Sequence, residues 1–109
     1  MCIRDSINCN HHRLIGHTSP VETYSPNQYG CHDILGNVWE WTSSWFDGYP
    51  GFSYYPYSGY SKVYFDRQHR VLRGGSWATS KFALRTSFRN WYSPEVRQIF
   101  AGFRCAKDE

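Results

Sequence analysis

Apolar and polar residues alternate at period two around Trp39-Glu40-Trp41, and the alternation extends over Val38 to Ser43. Period two is the signature of an extended strand, whose successive side chains point to opposite faces. The two indoles therefore share one face. Glu40 takes the other, where a carboxylate needs water, a hydrogen-bond donor or a metal. Asp33 to Asn37, just upstream, reads as the turn that feeds this strand. Three further runs carry strand character. Arg70-Val71-Leu72-Arg73 is stopped by Gly74-Gly75, Phe82 to Arg89 ends in Asn90-Trp91-Tyr92, and Ala101 to Ala106 closes the chain.

The intervening segments carry other signals. Ile7 to Thr23 is mixed and polar, and predicts a short strand with a turn at Ser19-Pro20. Ser25-Pro26-Asn27-Gln28-Tyr29-Gly30 places Ser at an N-cap, Pro at the first helical position and Gly at the stop, which predicts one short helical turn. Ser93-Pro94-Glu95 repeats that start signal. Asp47 to Ser61 shows no period at all. Loops beyond about 12 to 15 residues are usually functional or disordered. Tyr49, Tyr54, Tyr55, Tyr57 and Tyr60 argue against disorder here, since disordered segments are poor in aromatics. Met1 to Ser6 does not read as structure and is set aside as a non-native leader, which leaves 7–109 as the C-terminal part of a domain that starts upstream.

Composition sharpens this picture. At 109 residues the chain is at most one small domain, able to bury roughly two thirds of its unfolded surface. Aromatics make up 19% while Leu and Ile are scarce, so Trp, Tyr and Phe are expected to build the core. The net charge of +3 is small, and Arg73, Arg85, Arg89, Arg97 and Arg104 are scattered rather than run together, which excludes a nucleic-acid footprint. No apolar stretch approaches the roughly 20 residues of a membrane span. Met1 to His12 lacks the apolar centre of a signal peptide, so a cytoplasmic location is expected. Cys2, Cys9, Cys31 and Cys105 form no CxxC pair, and reduced thiols are expected, with Cys105 buried in the terminal strand.

Five motifs stand in order along the chain: Tyr29-Gly30, Asp33 to Trp41, Arg73-Gly74-Gly75-Ser76-Trp77, Arg89-Asn90 and Gly102-Phe103-Arg104. In this order they resemble the C-terminal part of the formylglycine-generating enzyme superfamily, over Pro20 to Ala106. The resemblance implies an α+β, C-type-lectin-like fold, loop-rich with short antiparallel strands and here only part of a domain. The formylglycine-generating branch uses two cysteines just after its Arg-Gly-Gly-Ser motif. Trp77 to Arg85 contains none, and copper–thiolate chemistry needs thiolates, so that activity is excluded. Tyr49-Pro50-Gly51-Phe52, Tyr57-Ser58-Gly59-Tyr60-Ser61, Val71 to Thr79 and Ser87-Phe88-Arg89-Asn90-Trp91 are instead similar to the hercynine oxygenases of ergothioneine biosynthesis and to their relatives, the selenoneine synthases.

That resemblance implies an Fe(II)- and dioxygen-dependent enzyme joining a thiol sulfur, or selenium, to the imidazole of trimethylhistidine (hercynine). In this branch a loop tyrosine serves as proton donor, a position that falls on Tyr57. A phenol suits the role because its pKa near 10 keeps it protonated at neutral pH. Tyr60 falls on a second tyrosine that lines the site. Trp91 falls on an indole that packs against the quaternary ammonium, an attraction of about 0.5 to 2 kcal/mol. Tyr92 stands where one subgroup has an Asp that binds the thiol donor's amine. A phenol cannot form that ion pair, which leaves cysteine, another thiol or a selenium donor. From the residues alone, the two tyrosines read as aromatic packing on a Pro-rich loop, and Trp91 reads equally as a core residue.

Asp33 and Glu40 match calcium-binding positions of the formylglycine-generating branch, with carbonyls of Ile34, Gly36 and Val38 completing that set. Calcium takes 6 to 8 oxygens at about 2.3 to 2.6 Å. The plainer alternative has Asp33 capping a turn and Glu40 paired with Arg73 or Arg104. Iron requires three histidines or a two-histidine, one-carboxylate face. His11, His12, His17, His32 and His69 show no such spacing. The resemblance places the ligands in an upstream helical domain, without which this chain would be inactive. Two other readings stand beside it: a ligand-binding module of the C-type lectin fold without catalysis, and a regulatory domain of that fold with a dead site.

Overall fold

The computed structural model describes residues 8–55 and 62–108. Four strands, β1 (Trp39–Trp45), β2 (Arg70–Arg73), β3 (Asn90–Tyr92) and β4 (Ala101–Gly102), form one sheet in the order β3-β2-β1-β4. β1 runs antiparallel to β2, and β2 antiparallel to β3. β4 pairs with β1 in parallel, aligning Trp39 with Ala101 and Glu40 with Gly102. The expected all-antiparallel arrangement is thus corrected at β4. The chain returns from β3 across the far edge of the sheet through the 93–100 segment and enters alongside β1 rather than by a hairpin.

The period-two pattern at Trp39-Glu40-Trp41 forms the central strand as expected, two residues longer than the pattern at its C-terminal end. The extension is irregular: Trp41 pairs with Leu72 and Trp45 with Arg70, so three residues of β1 bulge against Val71 alone. Thr42 stabilises the bulge by donating its hydroxyl to the Val71 carbonyl at 2.9 Å. Trp45 is capped by the Arg70 guanidinium, 3.4 Å from the indole centroid. Arg70 also donates to the Ser43 carbonyl.

Other expectations resolve differently. Phe82 to Arg89 forms successive turns, with Ala83 N–H donating to Ser80 O at 3.0 Å and Phe88 N–H to Arg85 O at 3.1 Å. Only its last residues, 90–92, enter the sheet, because β2 offers just four residues to pair against. No strand forms in 8–23. After Ser25-Pro26 a single turn closes two residues later than expected, between Gly30 N–H and Asn27 O at 3.0 Å. Asn27 organises that segment instead: its side-chain oxygen accepts from the Tyr29 and Cys31 amides at 2.9 and 3.0 Å. At Ser93-Pro94-Glu95 a single turn closes between Val96 N–H and Ser93 O at 3.0 Å. Side-chain oxygens of Asn and Ser compete for the amides a helix would need.

Among the described residues the buried apolar side chains are Leu72, Val71, Leu84, Leu35, Cys9 and Phe46, with Leu72 wholly enclosed. The core is therefore mainly aliphatic, and apart from Phe46 the described aromatics are half-buried or exposed around it, contrary to the composition-based expectation. A few well-placed aliphatic side chains fill the narrow space under a short sheet, whereas an indole is rarely buried whole. Asn10, His11 and Asn37 are buried polar residues inside this shell. Gly36 and Asn37 make the corner that locks them. Gly36 has φ +84, and a Cβ there would stand 2.2 Å from the Asn10 carbonyl oxygen. Asn37 donates its amide to Asn10 O at 2.8 Å, and its side-chain oxygen accepts from the Ser19 amide at 2.9 Å. Gly36 N–H also donates to Gly74 O at 2.7 Å, and Trp77 N–H to Asn37 O at 2.8 Å. The corner thus ties the N-terminal segment, β1 and the Gly74-Gly75 turn into one unit.

Cys31 and Cys105 are exposed free thiols, and Cys9 is disulfide-bonded. Both the burial expected of Cys105 and the reduced state expected of Cys9 are corrected. Among the described residues no helix is long and apolar enough to cross a membrane.

Candidate functional site

β1 and β4 set one corner of the sheet. Glu40 sits beside Gly102, so Arg104, two residues on, extends from the same face. Its guanidinium grips the Glu40 carboxylate in a fork, Nε to Oε2 at 2.8 Å and Nη2 to Oε1 at 2.5 Å. Nη2 also donates to the carbonyls of His32 and Asp33, at 2.9 and 3.2 Å. Hydrogen bonding to Glu40 raises the Arg104 pKa, against the opposing effect of partial burial. Of the two arginines considered for Glu40, Arg104 is the partner, although Arg73 lies directly across from Glu40 in register. Asp33, with φ 53, accepts from the Glu22 amide through Oδ2 at 2.9 Å, the turn-capping alternative. Glu40 and Asp33 each have protein donors, and no group of three His, Cys, Asp or Glu among the described residues is arranged to hold a metal.

The opposite end of the sheet carries an aromatic nest. Trp91 pairs with Val71 in β3–β2 register. Its indole stacks on Phe46, centroids 4.4 Å apart and planes 9° from parallel. Tyr64 leans against the same indole at 5.3 Å. Phe65 meets Phe46 edge-on at 5.2 Å, and Phe52 and Tyr54 meet Phe65 at 5.7 and 6.1 Å. The nest is built from both sides of the tyrosine loop: Phe46 to Tyr54 before it, Tyr64 and Phe65 after it. Tyr57 and Tyr60 lie outside the described residues. Tyr92 follows Trp91 in an extended strand and pairs with Arg70. It therefore faces away from the nest, at the edge of the sheet.

Two arginines lie on the nest's own face; the sequence placed both in motifs and offered Arg73 as a partner of Glu40, but gave neither a place in a site. Leu72 pairs with Asn90, and the next positions in the same antiparallel register are Arg73 and Arg89. Arg73 donates through Nη2 to the Tyr49 hydroxyl at 2.9 Å and through Nη1 to Thr86 O at 2.9 Å. Arg89 donates through Nη1 to Asp47 O at 2.7 Å and lies over the Tyr49 ring, 4.0 Å from its centroid, and over Phe46 at 4.8 Å. A cleft of about 130 Å³ opens among Ser44, Trp45, Tyr49, Arg73 and Arg89. The signal that could have found it is the placement of the two arginines at matched ends of neighbouring strands.

The histidines do not converge. His11 is buried with Nδ1 at 3.1 Å from Cys9 O, His17 and His32 face the carbonyls of Thr18 and Tyr24, and His69 pairs with Asp66 at 2.9 Å. That pairing, together with the Gln68 amide, holds the Asp66 carboxyl below its ordinary range. The described residues thus do not fit an iron centre. A larger open cleft of about 520 Å³ lies by Ser25 to Tyr29, Cys31 and Asp33. It is lined mainly by turn residues and lacks both the aromatic nest and the arginines.

A short mixed sheet, with Trp91 and two arginines on one face and long connecting segments around it, is the architecture of the described residues. The chain belongs to the sulfatase-modifying factor enzyme 1-like domain family, whose profile matches residues 8–109. It is 49% identical over 92 residues to the hercynine oxygenase of Mycobacterium tuberculosis, covering 83% of this chain and 22% of that one. It is 40% identical over 96 residues to serine/threonine-protein kinase pkn1 of Chlamydia caviae, covering 83% of this chain and 15% of that one. Among solved structures, Treponema denticola variable protein 1 matches with a TM-score of 0.69 at 37% identity, over 88% of this chain and 34% of that one. The chain therefore spans about a fifth of the length of the hercynine oxygenase it resembles.

Proposed function

We propose that this chain is the C-terminal, substrate-binding part of an iron- and dioxygen-dependent sulfoxide synthase that forms a carbon–sulfur or carbon–selenium bond on trimethylhistidine. The observation that carries the reading is the nest around Trp91, assembled from both flanks of the loop that holds Tyr57 and Tyr60. The 49% identity to a hercynine oxygenase supports it. In this reading the indole of Trp91 holds the quaternary ammonium. Tyr57 keeps a proton at its phenol oxygen for the reacting centre, and Tyr60 lines the same wall. Tyr92 stands where an Asp would pair with the donor's amine and cannot form that ion pair, which leaves cysteine, another thiol or a selenium donor. Iron is held by an upstream helical domain, and the chain is inactive without it.

The test uses the intact protein. Tyr57→Phe should leave folding unchanged and divert product from sulfoxide toward oxidised thiol. Trp91→Leu should raise KM for trimethylhistidine about 2- to 30-fold, the range of one cation–π contact. Unchanged sulfoxide output from the first variant sinks the catalytic role of Tyr57. If both variants behave as wild type, the chain is read as a ligand-binding module of this fold without catalysis.

A further inference from the structure

We propose that Arg73 and Arg89, with Tyr49 between them, form a binding site for a small carboxylate. The two guanidiniums follow the last β2–β3 pair in register, so they are cross-strand neighbours on one face. Like charges directly opposite one another destabilise a sheet. Among the described residues their hydrogen-bond partners are neutral oxygens: Thr86 O, Phe88 O and the Tyr49 hydroxyl for Arg73, and Asp47 O for Arg89. No carboxylate among the described residues pairs with either. One phenol ring serves both cations, its hydroxyl accepting from Arg73 and its face lying under Arg89. These contacts fix the position of both guanidiniums and leave N–H groups unused, since each carries five.

The cleft they border supplies the space. At about 130 Å³ it is the size of roughly four water molecules, enough for a carboxylate and a short stem but not for a nucleotide. A planar carboxylate matches the guanidinium fork, which favours it over a spherical anion. Arg89 and Trp91 both rest on Phe46, so a carboxylate bound here belongs to a molecule lying beside the nest. Short amino acids and other small carboxylic acids are the class that fits.

Acetate is the probe, titrated into the full chain against sodium chloride at matched ionic strength. The guanidinium Nε–H signals of Arg73 and Arg89 are followed by NMR. Saturable shifts confined to these two residues are expected with acetate, and Arg89→Gln should weaken that binding about tenfold or more. Arg97→Gln, an exposed control outside the cleft, should leave it intact. Three results overturn the proposal: equal shifts with chloride, tighter binding of inorganic phosphate than of acetate, or undiminished acetate binding in Arg89→Gln. The readout is binding alone, so failure here leaves the proposed activity standing, and failure of Tyr57→Phe leaves this site standing.

Discussion

Arg104, at the β1–β4 end of one sheet face, and the Arg73–Arg89 pair, at the β2–β3 end of that face, meet opposite fates. Arg104 closes on Glu40 in a two-bond fork and spends its remaining reach on two backbone carbonyls. Arg73 and Arg89 are held just as firmly, but by neutral oxygens and an aromatic face. A guanidinium met by a carboxylate is electrically finished and serves the fold. Two guanidiniums side by side without a counter-charge are positioned yet unfinished. The resemblance to a calcium-binding branch drew attention to Glu40, but the corner around Glu40 is the satisfied one. The unsatisfied one lies beside it on the same face, at Arg73 and Arg89.

The largest effect that sharpens this contrast is on Glu40. Glu40→Gln keeps the shape and removes the charge, leaving Arg104 with carbonyls alone. The Glu40 side chain is only 19% exposed against 38% for Arg104, so the pair stands between a surface and a buried bridge. A loss of about 1 to 2 kcal/mol is expected by urea unfolding. A loss under about 0.5 kcal/mol would class the fork with surface pairs that contribute nothing measurable. The contrast between the two arginine sites would then dissolve.

Tyr49→Phe comes next. It removes the hydroxyl that accepts from Arg73 and keeps the ring under Arg89. The expected cost is about 0.5 to 1 kcal/mol, one neutral–charged hydrogen bond open partly to solvent. A larger loss, accompanied by weakened contacts at Phe46, would mean that Tyr49 anchors the whole 46–54 loop rather than only the arginine.

How much of this was legible beforehand follows from what each residue reports locally. The Trp39-Glu40-Trp41 alternation predicted β1 because period two is written in three adjacent letters. The Gly-Gly after Arg73 bounded β2 for the same reason. Phe82 to Arg89 misled because apolar spacing says nothing about whether a neighbouring strand offers free amides, and β2 is only four residues long. Asn10 could not be anticipated as a buried residue within a polar stretch. Its burial is imposed from a distance by the positive-φ corner at Gly36 and Asn37. The two arginines of the cleft stand sixteen residues apart, and their adjacency exists only once the β2–β3 register is known. The partner of Glu40 was among the alternatives, but choosing Arg104 over Arg73 required the parallel pairing of β4, which no turn signal announces.

The smallest expected change is the one that tests the contrast most directly. Arg89→Gln removes a guanidinium stacked on Tyr49 and Phe46, a loss of about 0.5 to 1 kcal/mol. It also relieves the cross-strand repulsion with Arg73, a gain of about 0.2 to 1 kcal/mol. The two nearly cancel, so the stability change should stay within about 0.5 kcal/mol of zero. The components respond differently to salt. Repulsion between partly exposed charges is screened, with a Debye length near 10 Å at 0.1 M, whereas stacking is affected far less. Wild type should therefore gain more stability than Arg89→Gln as sodium chloride rises from low millimolar to about 0.15 M. Unfolding curves for both proteins along that salt series measure the difference. If Arg89→Gln costs as much as Glu40→Gln and shows no differential response to salt, Arg89 is a fold-holding residue like Arg104, and the asymmetry between the two sites fails.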